Sequence, residues 1–207
     1  MKDMIKDAVI LFVITLVAGL LLGLVYDVTK EPIAEQKAKA KVEASKNVFA
    51  DAQDFVEYEG FDAQEANSIV AASGIAGADI DEVMKAVDSN GNVLGYVVTV
   101  TDHNGYGGDI QFSMGVRLDG TLNGISLLSI TETAGLGMKA EEILVPQFAN
   151  KSVDWFTYTK TGAVNDSEID AIGGATITTV AIVDGVNAGL VYVKSISSVE
   201  EGGSADE

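Results

Sequence analysis

The sequence predicts an α+β protein: one N-terminal transmembrane helix followed by a single domain with an antiparallel sheet and flanking helices. Three observations predict it. A charge-free apolar run lies close to the N-terminus, four Val-, Ile- and Thr-rich stretches follow one another across short turns, and an apolar helical stretch comes late in the chain. With 207 residues there is room for one core of ordinary size plus an appendage, and not for a second large catalytic domain.

Residues 8–26, AVILFVITLVAGLLLGLVY, carry no charge, and a helix of that length nearly spans a hydrocarbon core of ~30 Å. A cleaved signal peptide is the alternative, but the stretch is long for an h-region and no A-x-A-like site follows it. Tyr26 suits an interfacial aromatic belt. Residues 1–7 form a short N-terminal tail. After the span, Pro32 is expected at an early helical position, and Val42, Val48 and Phe49 recur at helical spacing, so 27–56 reads as a helical stalk. Residues 57–81 lack periodicity and read as an irregular connection with short elements at the start of a domain over 57–196.

Strands are expected at 82–87, 93–101, 110–118 and 121–130. Ser89-Asn90-Gly91-Asn92 and Asp119-Gly120 supply residues that accept positive φ in tight hairpins, so the strands should form an antiparallel meander. A helix around 140–148, further strand at 155–159 and a final helix at about 176–195 follow, and the Glu- and Gly-rich stretch 197–207 reads as an acidic flexible tail.

Composition removes several function classes. The balance of 13 basic to 31 acidic residues, net −18, repels phosphate backbones, so nucleic acid is not an expected partner. Zero cysteines and one histidine remove iron–sulfur clusters, zinc–thiolate sites and disulfides, and no metal site is expected. Difficult chemistry must then come from a bound organic cofactor. His103, between Asp102 and Asn104, reads as a solvated loop residue, and no serine has the surroundings of a hydrolase nucleophile.

The most informative stretch is Asp170-Ala171-Ile172-Gly173-Gly174-Ala175-Thr176-Ile177-Thr178-Thr179, which places two glycines and a small residue before an apolar helix. N–H groups at such a helix start make an anion site. By themselves, however, two glycines before a helix are an ordinary turn, and Thr176 or Thr178 an ordinary N-cap. The run resembles the flavinylation motif of the FMN-binding domain family, D-x-x-[S/T]-G-A-T, whose last threonine is esterified by the phosphate of FMN. Asp170, Gly174, Ala175 and Thr176 match, while Gly173 stands where the family has Ser or Thr. Thr131-Glu132-Thr133-Ala134-Gly135-Leu136-Gly137-Met138-Lys139 resembles the family's E-T-P-G-L-G segment with Ala134 for proline, and Gly105-Tyr106-Gly107-Gly108 resembles its flavin-bordering loop.

The order of anchor, G-Y-G-G, E-T-x-G-L-G and x-G-A-T is similar to the RnfG family, the G subunits of the Rnf complex, a membrane-bound ferredoxin:NAD oxidoreductase that pumps sodium ions or protons. That resemblance implies an electron-transfer protein carrying covalent FMN on Thr176. Cofactor contacts are implied at Tyr106, Gly108, Glu132, Thr133, Gly135, Leu136, Gly137, Lys139, Asp170, Gly173, Gly174, Ala175 and Thr179. No catalytic residue beyond the flavin is expected. The implied partners are other subunits of a membrane redox complex, the lipid bilayer, and a flavin transferase during maturation. The implied location is the cell membrane, single-pass, with the FMN domain on the extracytoplasmic side, although the lysines after the span argue for the cytoplasm. The alternatives are the equivalent C subunit of a sodium-pumping NADH:quinone oxidoreductase and a non-redox acidic membrane-anchored surface module.

Overall fold

The computed structural model describes residues 2–203, and the chain divides into two compact units, Met1–Ala40 and Lys41–Glu207. The first unit is helical throughout its described residues. It belongs to α1, Lys2–Val48, whose apolar side chains from Val9 to Val28 are exposed. Outward-facing Leu, Ile and Val over a length sufficient to span a bilayer are stable only in lipid or against a partner. α1 differs from the expected stalk in two ways. It passes through Pro32 without a break: a proline removes one intrahelical hydrogen bond, and the long apolar helical run before it and the Ala-, Lys- and Glu-rich run after it offset that loss. It also ends at Val48, so the stalk does not continue to residue 56.

The second unit is built on a five-stranded antiparallel meander: β1 Asp54–Glu57, β2 Ala78–Val87, β3 Val93–Asp102, β4 Ile110–Arg117 and β5 Leu122–Ser129. The two hairpin turns expected from the sequence are present, with Gly91 and Gly120 at φ +83° and +82°. β1 was not expected. Its four residues carry little strand signal, and they extend because their backbone pairs with the end of β2, Asp54 opposite Val87. The connection before β2 contains α2, Ala63–Ala72, started by Asp62, whose carboxylate accepts the N–H of Glu65 at 2.8 Å.

Alternation along the strands gives the sheet two buried faces. On one, Tyr96, Val98, Val100, Phe112 and Met114 form a core with α2 and with α4, Thr176–Gly203. On the other, Val97 and Ala86 meet Val48 and Phe49 at the end of α1. Phe49 seats where β4 has Gly115, at which an added Cβ would lie 2.7 Å from the Val48 carbonyl oxygen and 2.9 Å from the Phe49 ring.

The helix expected at 140–148 is a 3₁₀ turn, Gly137–Lys139, then α3, Ala140–Ile143, then a second 3₁₀ turn, Val145–Phe148. Two short parallel strands follow, β6 Thr157–Thr159 and β7 Glu168–Asp170. Buried Asn187 ties this segment to α4 by accepting the Phe156 N–H at 2.7 Å and donating to its carbonyl at 2.9 Å. The flexible tail expected from residue 197 is helical through Gly203, since extending an established helix costs far less than nucleating one. Residues 204–207 lie outside the described residues.

Candidate functional site

In an antiparallel meander the exit of β3, the entry of β4 and the exit of β5 fall at one end of the sheet. There the loop after β3, the segment after β5 and the N-terminus of α4 enclose a cleft of about 480 Å³. Its lining is Tyr106 from the first, Glu132, Thr133, Leu136 and Gly137 from the second, and Gly174, Ala175, Thr176, Ile177 and Thr178 from the third. That volume suits an organic cofactor.

One buried carboxylate ties the three walls together. Glu132 accepts the Gly107 N–H through Oε1 at 3.1 Å and the Thr178 hydroxyl through Oε2 at 3.0 Å. Gly137 packs into this junction, where an added Cβ would stand 2.6 Å from Thr178 Oγ1 and 2.7 Å from Glu132 Cβ. Gly174 takes φ +81°, and an added Cβ would approach Leu136 Cδ2 to 3.2 Å, so a bare backbone is required at this edge of the cleft.

The three threonines at the start of α4 have different duties. Thr179 is buried, accepts the Ile172 N–H at 3.2 Å and donates to the Ala175 carbonyl at 3.0 Å, which pins the turn before the helix. Thr178 is committed to Glu132. The Thr176 hydroxyl lines the cleft and makes no side-chain hydrogen bond among the described residues. The first-turn N–H groups of α4 have no intrahelical acceptor and present the positive end of the helix dipole beside it.

Several residues implied by the family motif lie outside this lining. Asp170 accepts the Ala163 N–H at 2.6 Å, and its own N–H and carbonyl are both held by Gln147, so it braces the approach to the turn. Gly173 is exposed, with nothing within 4 Å of an added Cβ. Gly135 has φ +79° and open space around it, Gly108 has φ +133° beside Thr131, and Lys139 is exposed on the 3₁₀ turn. Thr179 sits beneath the turn rather than in the cleft. Ile177 and Thr178 line the cleft although the motif did not single them out; a helix start turned toward a cleft exposes its first three side chains together.

The FMN-binding domain family matches residues 105–191, which contain every wall of the cleft, and the RnfG N-terminal region matches residues 1–48. The chain is 34% identical over 200 residues to the G subunit of the Na(+)-translocating ferredoxin:NAD(+) oxidoreductase complex of Acetobacterium woodii, covering 95% of this chain and 94% of that one. It is 33% identical over 195 residues to the G subunit of the ion-translocating oxidoreductase complex of Methanosarcina acetivorans, covering 94% and 96%. Among solved structures, Shewanella oneidensis NqrC aligns over 58% of this chain and 62% of that chain at 18% identity, with a TM-score of 0.47. The sequence matches run from the apolar helix through the cleft, and by them the chain belongs to the RnfG family, the G subunits of Rnf ion-translocating oxidoreductase complexes, with an FMN-binding domain behind an N-terminal membrane anchor.

Proposed function

We propose that this chain carries FMN as a phosphoester on Thr176 and transfers electrons within an Rnf-type complex that couples electron flow from ferredoxin to NAD to the translocation of sodium ions or protons. The observation that carries the attachment is the division of labour among the threonines: the Thr176 hydroxyl is without a partner among the described residues at the mouth of the cleft, while those of Thr178 and Thr179 are engaged. The residues present fit the group. Gly174 leaves the backbone bare, the α4 N-terminus offers N–H groups to a phosphate, and Leu136 and Tyr106 offer apolar surface to a flat ring.

When bound, the flavin supplies the one- and two-electron chemistry. The chain's own residues do the rest. Glu132 fixes the separation of the walls, Thr179 fixes the turn ahead of the attachment point, and α1 holds the domain at the bilayer. In this reading an extracytoplasmic flavin transferase loads the chain, the FMN domain lies outside the cytoplasm, and other subunits of the complex deliver and remove electrons.

The test is the intact mass and visible spectrum of the full-length chain made with and without a flavin transferase. A yellow protein with one fixed FMN increment, present only with the transferase, is expected. A folded, colourless chain of unmodified mass in a competent host would instead favour an acidic surface module without redox function.

A further inference from the structure

His103 is the chain's single histidine and the first residue of the loop after β3. Its backbone N–H extends the β2–β3 ladder by one bond, to the Gly77 carbonyl at 2.7 Å. Continuing the β3–β4 register from Asp102 opposite Ile110 sets it across from Asp109, the last residue of the same loop, and Asp79 of β2 is its diagonal neighbour on the same face. The half-exposed ring bridges the two: Nδ1 meets Asp109 Oδ1 at 2.9 Å and Nε2 meets Asp79 Oδ2 at 3.2 Å.

Two carboxylates on one ring decide its protonation. An ionised carboxylate only accepts hydrogen bonds, and a neutral imidazole has one donor and one acceptor nitrogen, so it would turn a lone pair toward one of the two oxygens. The imidazolium donates to both. The bonds to Asp109 and Asp79 raise the ring above its ordinary value against a smaller opposing effect of burial, and the same two charges and Asp102 add attraction. Asp81, farther along β2, is occupied by the Thr101 hydroxyl at 2.7 Å and the Gln111 amide at 2.8 Å. Among the described residues no three acidic, histidine or cysteine side chains could share a metal ion, and the two carboxylates take different nitrogens of the ring, so protons make the bridge.

We propose that His103, as an imidazolium shared by Asp109 and Asp79, is a positioning residue that clips the two ends of the 103–109 loop to each other and to β2, and so holds the Tyr106 wall of the cleft. A loop with glycines at 105, 107 and 108 has much backbone freedom to lose, so its order has to come from tethers. Its tip is tethered by Glu132, which accepts the Gly107 N–H, and is packed so closely that a Cβ on Gly105 would run into the Gly108 carbonyl and stand 2.8 Å from Glu132 Oε1. At its base, the Asn104 N–H goes to Asp102 Oδ1 at 2.7 Å and the Asn104 side chain donates to the Ala76 carbonyl at 2.8 Å. The His103 bridge joins the loop's first residue to its last. Half-exposed ion pairs are individually weak, so the bridge acts on the order of this loop and not on the fold. Loss of the proton turns one of the two attractions into a repulsion, and the loop that carries Tyr106 loosens.

That Tyr106 borders a flavin rests on the FMN reading, whereas the clip does not, and the test separates them. In the full-length chain in detergent, a single histidine makes the ring-nitrogen NMR signals unambiguous. At about pH 7, above the ordinary imidazole value of about 6.5, they should report the imidazolium, and Asp109→Asn and Asp79→Asn should each move the titration midpoint to lower pH. Below the wild-type midpoint, amide hydrogen exchange of residues 104–108 should be several-fold faster in His103→Gln than in the wild type, with or without flavin, and the difference should vanish above it. Iodide quenching of flavin fluorescence in the loaded wild type should rise through the same midpoint, a step that His103→Gln should lack. A neutral ring at about pH 7, or a midpoint that neither aspartate variant moves, overturns the clip. Equal exchange of 104–108 in wild type and His103→Gln below the midpoint overturns the positioning role. Loop exchange that follows the ring beside flavin quenching that does not overturns the reach to the cleft. Should His103→Gln fail to fold, the two aspartate midpoints decide; a chain that never takes up flavin counts against the FMN reading and leaves the nitrogen signals and the exchange to judge the clip.

Discussion

At the scale of single residues, the start of α4 puts three threonine hydroxyls within one helical turn and gives each a different task. Thr176→Val keeps the branched shape and removes the only unengaged hydroxyl of the three, so the fold should persist while the FMN mass increment disappears. Thr178→Val should retain the increment. Thr179→Val should retain it in the folded fraction but lower stability by about 1–3 kcal/mol, because the buried Ile172 N–H loses its acceptor. Mass spectrometry and thermal melts of the three variants decide this, and covalent FMN on the Thr176→Val protein would show that the ester lies elsewhere. Gly173, where the family motif has Ser or Thr, has open space around an added Cβ and no left-handed backbone. Gly173→Ser should therefore fold normally and be loaded at least as completely as the wild type under limiting transferase; poorer loading would mean that glycine itself is required there.

At the scale of elements, the segment after β5 contains two glycines of different kinds. Gly137 is wedged between Thr178 and Glu132, whereas Gly135 is surrounded by empty space and is needed only for its positive φ. Gly135→Ala should cost about 1–2 kcal/mol of backbone strain. Gly137→Ala should cost as much or more by overpacking, about 1–3 kcal/mol, and should also alter the flavin spectrum because it pushes apart the walls that Glu132 joins. Melting curves and spectra of the two variants test the distinction, and an altered spectrum only in Gly135→Ala would reverse the roles. The same contrast explains what was legible in the sequence. β2 to β5 could be read because Val- and Thr-rich runs are punctuated by Asn-Gly and Asp-Gly, which are local signals. The motif Asp170 to Thr176 likewise lies in one short run. β1 could not be read, because its extended form comes from pairing with β2, and the end of α1 at Val48 is set by Phe49 seating against Gly115, far away in sequence. α2 carried a readable signal, Asp62 followed three residues later by Glu65, inside a stretch otherwise without periodicity. The Glu132–Thr178 bond joins positions that only the packing of α4 brings together, so Thr178 stayed hidden.

At the scale of the whole molecule, charge governs both stability and placement. Asp102 and Asp184 are raised by burial, so the folded chain binds more protons than the unfolded one above the ordinary aspartate value, and their stabilisation is lost as pH rises through the folded values. His103, raised by Asp109 and Asp79, contributes stability that is fully present below the ordinary imidazole value and lost as pH rises through its folded value. Self-repulsion at net −18 acts in the same direction. The chain should melt at a higher temperature at about pH 5.5 than at about pH 8, a difference that Asp102→Asn reduces; the opposite order would contradict all three causes. Membrane sidedness sets a lysine count against the family. Lys30, Lys37, Lys39 and Lys41 follow the span while Lys2 and Lys6 precede it, which by the positive-inside rule places the domain in the cytoplasm. The count overstates the case. Glu31 and Glu35 are interleaved with these lysines on α1, Lys41 is engaged by Glu82 at 2.7 Å, and long domains translocate largely regardless of flanking charge. The domain from Lys41 onward should therefore be cleaved by protease added to right-side-out vesicles, leaving a fragment that retains the apolar part of α1. Full protection, with an inner-face control cleaved only after lysis, would place the domain in the cytoplasm and remove it from the reach of an extracytoplasmic flavin transferase.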